Sequence, residues 1–371
     1  MKIVYFTQSL RSCWNHGNAH FLRGMVRALR RSGHCVDVLE PAGSWSLTNL
    51  RHDQGDEGLL PFRRAYPDLE PVSYDDGADP VLFADAADLV IVHEWTDPAV
   101  IARLVRLRRE GGRFLLLYHD THHRAVSEPD SVDRAVLEGF DAILAFGESL
   151  AAVYRKWGAR VFVWHEAADV SHFFPRRCSG KEAPSGDVVW IGNWGDEERT
   201  EELETFLFSP VAAEELALMV HGVRYPEAAV RRLNNIGASY GGWVANADVP
   251  NLFARFLMTV HVPRRFYVEA LPGIPTIRMF EALACGIPLI SAWWPDTEGL
   301  FRPGDDHLVA RTGDEMRRHM RDLRHQPGLR EALATNGLET IRTRHTCDHR
   351  AAELMDVVQE MTQSAAERVV G

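Results

Sequence analysis

Residues 259–294 read TVHVPRRFYVEALPGIPTIRMFEALACGIPLISAWW, a stretch that passes from strand to loop to helix to strand. The apolar run TVHVP has the length of a buried strand. In the loop LPGIPT two prolines and a glycine stiffen the backbone where it enters a helix expected to start near Pro275, and the amides of that first turn suit an anion such as phosphate. Ile277, Phe280, Leu283 and Ala284 recur at helical spacing as the buried side, and Gly286 closes the helix. Arg278 and Glu281 stand three residues apart on a neighbouring face, where spacing alone fits an exposed ion pair or a functional one. PLISAWW then begins the next strand. Strand, helix and strand in this succession build a parallel sheet.

The same alternation runs outward in both directions. In the second half the strand runs fall at 187–194, 216–222, 238–243, 257–263, 287–293 and 307–311. In the first half they fall at 2–7, 35–40, 88–94, 113–120, 141–147 and 160–166. Between the first two lies NAHFLRGMVRALRRSGH, where Phe21, Leu22, Met25, Val26 and Leu29 make one apolar stripe that Gly33 stops. Residues 41–80 are richer in Gly, Pro and Asp, and an irregular insertion with one short helix is expected there. The stretch VSHFFPRRCSGKEAPSG has the composition of a connection. The fold expected is α/β, two Rossmann-like domains facing a central cleft, the first at 1–170 and the second at 171–345, followed by a C-terminal helix at 346–371. An amphipathic stretch at 350–361 marks that helix.

Composition narrows the function. The 371 residues, 46% of them hydrophobic, exceed one ordinary domain, which excludes a disulfide-stapled module. A net charge of −11, with neither half basic, argues against a general nucleic-acid or anionic-membrane binder. Cys13, Cys35, Cys178, Cys285 and Cys347 are widely spaced without a C-x-x-C pair, which fits a reducing cytoplasm and no structural zinc. The start, MKIVYFTQSL, reads as a first strand rather than a leader, and no apolar run is long enough to span a bilayer.

RMFEALACGIPLIS resembles the "EAlacGxPvv" signature of nucleotide-sugar glycosyltransferases with two Rossmann-like lobes, the GT-B fold. The longer run of VWIGNWGDEERTEEL, HGVRYP, GGWVANADVPNLFA, VPRRFYVEALPGIPTIRMFEALACG and RHTCDHR is similar to the CgeB-type, spore maturation protein-like branch related to glycosyltransferase family 4. The resemblance spans nearly the whole chain and is tightest from Gly186 to Arg350. It implies a metal-independent glycosyltransferase with a nucleoside-diphosphate sugar as co-substrate, UDP-sugar first, and a hydroxyl acceptor.

Residue by residue, it implies that Glu281 accepts both ribose hydroxyls of the donor and that Arg199 lies against its diphosphate, with Gly192 letting the backbone approach. Gly242, Trp243 and Val244 match the segment whose main chain contacts the base. Gly17, Asn193, Gly222, Arg224, Arg264, Gly273, Thr276 and Arg278 complete the donor-binding set, and Arg265 is a further candidate. The common retaining pattern has an acidic residue eight positions before the ribose-binding Glu; here that position is Gly273, so the sugar-facing loop differs and retention is only an expectation.

YHDTHHRAVS brings His119, Asp120, His122 and His123 to a strand's carboxyl end, and three readings stand: a metal site, solvated loop histidines, or chemistry in which His119 serves as base while Asp120 fixes its ring. Glu94 suits either an acceptor hydroxyl or a helix cap. His16, Gly17 and Asn18 form an open glycine loop, read as a cap-bearing turn or as an approach to phosphate. His165, Glu166 and Asp169 read as structural polar caps, and Cys347 and His349 as packing and capping. A sugar-nucleotide epimerase and a non-catalytic sugar- or nucleotide-binding protein remain the alternatives.

Overall fold

A computed structural model describes residues 1–74, 79–176, 185–195 and 198–370, the side chains of 364–370 aside. The chain forms two compact units, one of Met1–Asp169 with the segment from Thr346 onward and one of Val170–His345. Expected features at 75–78, 177–184, Asp196 and Glu197, including Cys178, lie outside the described residues; Cys35, Cys285 and Cys347 are free thiols.

In the first unit seven strands, β1 (Lys2–Phe6), β2 (Cys35–Pro41), β3 (Val72–Tyr74), β4 (Leu89–His93), β5 (Leu115–Asp120), β6 (Ala142–Ala145) and β7 (Val161–Val163), pair in the order β3-β2-β1-β4-β5-β6-β7. All these pairings are parallel. Helices cover both faces, so β4 is buried at all five positions and reads as a continuous apolar run. The strand order reverses between β1 and β4, the switch point beside which doubly wound sheets bind ligands.

The expected irregular insertion at 41–80 is more ordered than its composition suggested. It holds helices Trp45–Gln54 and Leu60–Ala65 and the edge strand β3. β3 escaped the sequence pattern because its three residues stand between Pro71 and the turn-favouring run Asp75-Asp76-Gly77. Helix Ala19–Arg31 packs on the C-terminal helix, Cys347–Val370, which extends beyond the amphipathic stretch 350–361 at both ends. Gly24 permits the approach, because a Cβ there would lie 2.4 Å from Cys347 Sγ and 2.7 Å from Asp169 Cβ.

The second unit repeats the design with β8 (Gly186–Ile191), β9 (Leu218–His221), β10 (Ser239–Tyr240), β11 (Phe256–His261), β12 (Leu289–Ala292) and β13 (Leu308–Ala310), ordered β10-β9-β8-β11-β12-β13 and parallel throughout. Its switch point lies between β8 and β11. The run at 238–243 supplies only two ladder residues, since Gly242 turns the chain out of the sheet at φ 63°. Helix Ile277–Cys285 starts two residues later than expected and stops at Gly286, left-handed at φ 65°. Among the described residues no helix is long and apolar enough to cross a membrane.

Candidate functional site

At the switch point of the second unit the chain leaves β8 through Gly192, Asn193 and Trp194 and returns into the helix that begins at Thr200, with Arg199 just before it. Arg199 is 8% exposed and donates from Nη1 to the Val262 carbonyl beyond β11, at 3.2 Å, and from Nη2 to the Asn193 carbonyl. It thus bridges the two strand ends that flank the switch point. Its Nε has no partner among the described residues. Burial pushes its pKa down to about 10; the Tyr225 and Glu198 charges raise it, while Arg264 and Arg278 press it further down. Arg264 is tied to an acid, its Nε reaching Glu198 Oε2 at 2.9 Å, and Arg278 to Glu281, whereas Arg199 has no carboxylate among its described hydrogen-bond partners. Three guanidiniums within each other's field, one of them buried against carbonyl oxygens, make a place that a phosphate chain would relieve.

The expected glycine and aromatic segments converge next to this cluster. Gly192 N–H donates to the His221 carbonyl at 2.9 Å, Gly222 N–H to the Gly242 carbonyl at 2.9 Å, and Val223 N–H to Asn193 Oδ1 at 3.0 Å. Tyr225 and Tyr240, which the sequence reading did not single out, donate their hydroxyls to the Gly192 and Gly222 carbonyls, both at 2.9 Å. Gly222 is the close-approach position: a Cβ there would sit 2.1 Å from the Gly192 oxygen. Gly192 has an internal reason to lack a side chain, since its Cβ would fall 2.6 Å from the Trp190 indole. Arg224 is exposed in a left-handed turn at φ 64°, and Trp243 and Val244 are half-buried, Val244 on the wall of a cavity of about 630 Å³.

Glu281 is fully buried. Its Oε1 accepts from Asn246 Nδ2 at 2.5 Å and its Oε2 from Arg278 Nη1. The exposed-pair reading is therefore corrected: the face carrying Arg278 and Glu281 is also packed, because Asn246 and its neighbours cover it. Arg278 keeps 17% of its side chain exposed, with Nε unpartnered among the described residues. Thr276 precedes the helix without a side-chain cap. Gly273, where the common pattern has its acidic residue, is left-handed at φ 94°, and a Cβ would lie 2.5 Å from Thr297 Oγ1. No side chain fits there without moving the loop. Arg265 pairs outward with Glu202 at 3.0 Å.

In the first unit the expected His119–Asp120 pair does not form, because consecutive strand residues point to opposite faces. His119 is fully buried among Tyr5, Phe21, His93 and Trp164, its Nδ1 2.6 Å from the Tyr5 hydroxyl, and burial pushes its pKa down to about 3. Asp120 instead accepts from the Tyr154 hydroxyl and, at 2.8 Å, from the His122 N–H; burial pushes its pKa up to about 6. Glu94 is buried as well and raised by burial and the nearby Asp120 charge, with Thr121 Oγ1 donating to it at 3.1 Å. Gly17 is exposed, and Asn18 caps nothing with its side chain, donating to Glu166 Oε1 at 2.9 Å. Asp169 N–H reaches His20 Nε2 at 2.8 Å, and Thr346 Oγ1 accepts from the His349 N–H at 3.3 Å. Among the described residues no three His, Cys, Asp or Glu side chains gather as metal ligands would.

Comparison with known proteins gives the fold. Residues 199–356 match a family model described as glycosyl transferase-like. The chain has the GT-B fold: it superposes on sucrose-phosphate synthase from Thermosynechococcus elongatus with a TM-score of 0.66 at 15% identity, covering 98% of this chain and 100% of that one. On Anabaena HepE, solved with UDP and glucose, the TM-score is 0.64 at 14% identity, with 97% and 100% covered. On an alpha-glucosyltransferase solved with UDP and a 13-mer DNA it is 0.70 at 12% identity, with 97% and 99% covered. No curated protein sequence matches the chain.

Proposed function

We propose that this protein is a glycosyltransferase that moves a sugar from a nucleoside-diphosphate sugar, a UDP-sugar first, to a hydroxyl-bearing acceptor. The observation that carries the proposal is Arg199, buried at the switch point with two further guanidiniums near it and no carboxylate bonded to it among its described contacts. When the bond from the anomeric carbon to the diphosphate oxygen breaks, the electron pair stays on the diphosphate. Fixed guanidiniums stabilise that charge without reorganising, and without need of a metal ion. Glu281 is suited to the two ribose hydroxyls once its bond from Arg278 is given up.

The CgeB-type and family 4 relationship remains part of the proposal, as does retention of configuration, in which a phosphate oxygen takes the acceptor proton. If configuration inverts, Asp120 is the better base of the two expected residues. Its pKa of about 6 suits proton transfer near neutrality, whereas burial holds His119 at about 3, too weak a base there.

Calorimetric titration with UDP, GDP, dTDP and CDP sugars, followed by donor hydrolysis, tests this reading. Arg199→Ala is expected to weaken binding of the preferred nucleotide about 10- to 100-fold, the worth of a charged hydrogen bond. Unchanged binding and turnover in both Arg199→Ala and Glu281→Ala would remove the proposed donor site.

A further inference from the structure

We propose that the second unit carries a binding site for a neutral saccharide ring beside the edge strand β13, separate from the nucleotide site. A cavity of about 480 Å³ opens there, lined among others by Trp293, Trp294, His307, Val309, Arg311 and His319. Its size falls in the ordinary range of small-molecule sites, roughly 300–1,000 Å³.

The polar groups left over on its wall define the ligand. His307 is fully buried, and neither ring nitrogen has a partner among the described residues. Trp294, stacked on that imidazole at 5.6 Å between centroids, likewise has an unpartnered indole N–H. Burial holds His307 neutral, so the ring offers one donor and one acceptor and the indole adds a second donor. A hydroxyl both donates and accepts, and a polyol matches that mixture. A phosphate or carboxylate would need donors only.

The acids on the wall are already engaged, and the nearest cation is stacked on a ring. Arg311 lies over the Trp293 ring at 4.7 Å while its backbone N–H donates to Glu315 Oε2 at 2.7 Å. Arg318 stands 3.9 Å from Glu315 Oε1, and Asp296 accepts from the Leu300 and Phe301 amides at 3.2 Å. A cation is therefore not called for, and the comparison with inorganic phosphate below decides between a hydroxyl ligand and an anion drawn by Arg311. Trp293, 38% exposed, supplies a flat apolar surface on which the C–H face of a sugar ring packs. The cavity adjoins the donor-side loop, since Gly273 N–H donates to the Pro295 carbonyl at 2.7 Å and His261 meets Trp294 edge-on at 5.5 Å.

The test titrates the full chain with glucose, galactose, mannose, N-acetylglucosamine and their methyl glycosides, reading tryptophan fluorescence and the side-chain nitrogen resonances of His307. At least one sugar should bind saturably with Kd in the millimolar range, shift the His307 signals, and lose about tenfold in affinity in Trp293→Ala, a partly exposed position whose truncation spares the core. Saturating UDP and Arg199→Ala should leave that binding in place. Four results would overturn the site: no saturable binding by any sugar, displacement by UDP, loss with Arg199→Ala but not with Trp293→Ala, or the same response to inorganic phosphate. The site does not depend on catalysis, so failure of the donor reading leaves it standing.

Discussion

Arg199 and Glu281 show how differently two buried charges can be held. Arg199 donates to carbonyl oxygens and lies over the Trp190 ring, with no carboxylate among its described hydrogen-bond partners, so Arg199→Lys, which keeps a charge but loses the planar fork, is expected to retain fold and lose most nucleotide affinity, as titration would reveal. Glu281 is bonded to Asn246 and Arg278, and Glu281→Gln removes the charge that neutralises Arg278 at almost unchanged volume. We expect that variant to cost on the order of 3 kcal/mol in a denaturant titration, the scale for breaking a buried pair. The signature around Glu281 was legible because its residues occur at fixed spacing in one short segment. Its burial was not legible, because Asn246 reaches it from 35 positions away. The separation of His119 from Asp120 was implicit in the two-residue period of the strand that carries them.

Among the elements, two glycines decide how neighbours meet. In Gly24→Ala the added methyl meets Cys347 Sγ and Asp169 Cβ, and overpacking of this kind costs typically 1–3 kcal/mol. That loss should appear in the unfolding of the first unit while nucleotide binding by the second is unchanged. In Gly222→Ala the methyl meets the Gly192 carbonyl, and both the stability of the second unit and its nucleotide affinity should fall, which paired denaturation and titration would check. Twelve of the thirteen strands were readable, most plainly those such as β4 and β6 that are buried at every position and read as apolar runs. The exception, β3, borrows its order from the Leu39–Pro41 register rather than from its own three residues.

At the scale of the molecule, buried neutral histidines set the response to acid. His16 and His307 are pushed down to about 4 and His119 and His261 to about 3, burial being the first cause for each. Below pH 6.5 the unfolded chain binds protons that the folded chain refuses, so stability is full above that value and drains away as pH falls toward 4 and then 3. Each such histidine contributes about 2 kcal/mol of loss between pH 6.5 and 5, and Asp120, raised to about 6, opposes them in part. Urea midpoints measured across that range should fall with acidity, less steeply in His119→Gln. The bond from Arg278 to Glu281 gives the proposed donor site an exchange rule. A ligand bearing phosphate and pentose together draws the cation one way and frees the acid for its sugar hydroxyls, whereas a bare nucleoside must break the pair with nothing to offer the cation. Discrimination between uridine and UDP would then arise from this swap of counter-charges, a logical conjunction written into two side chains one helical turn apart.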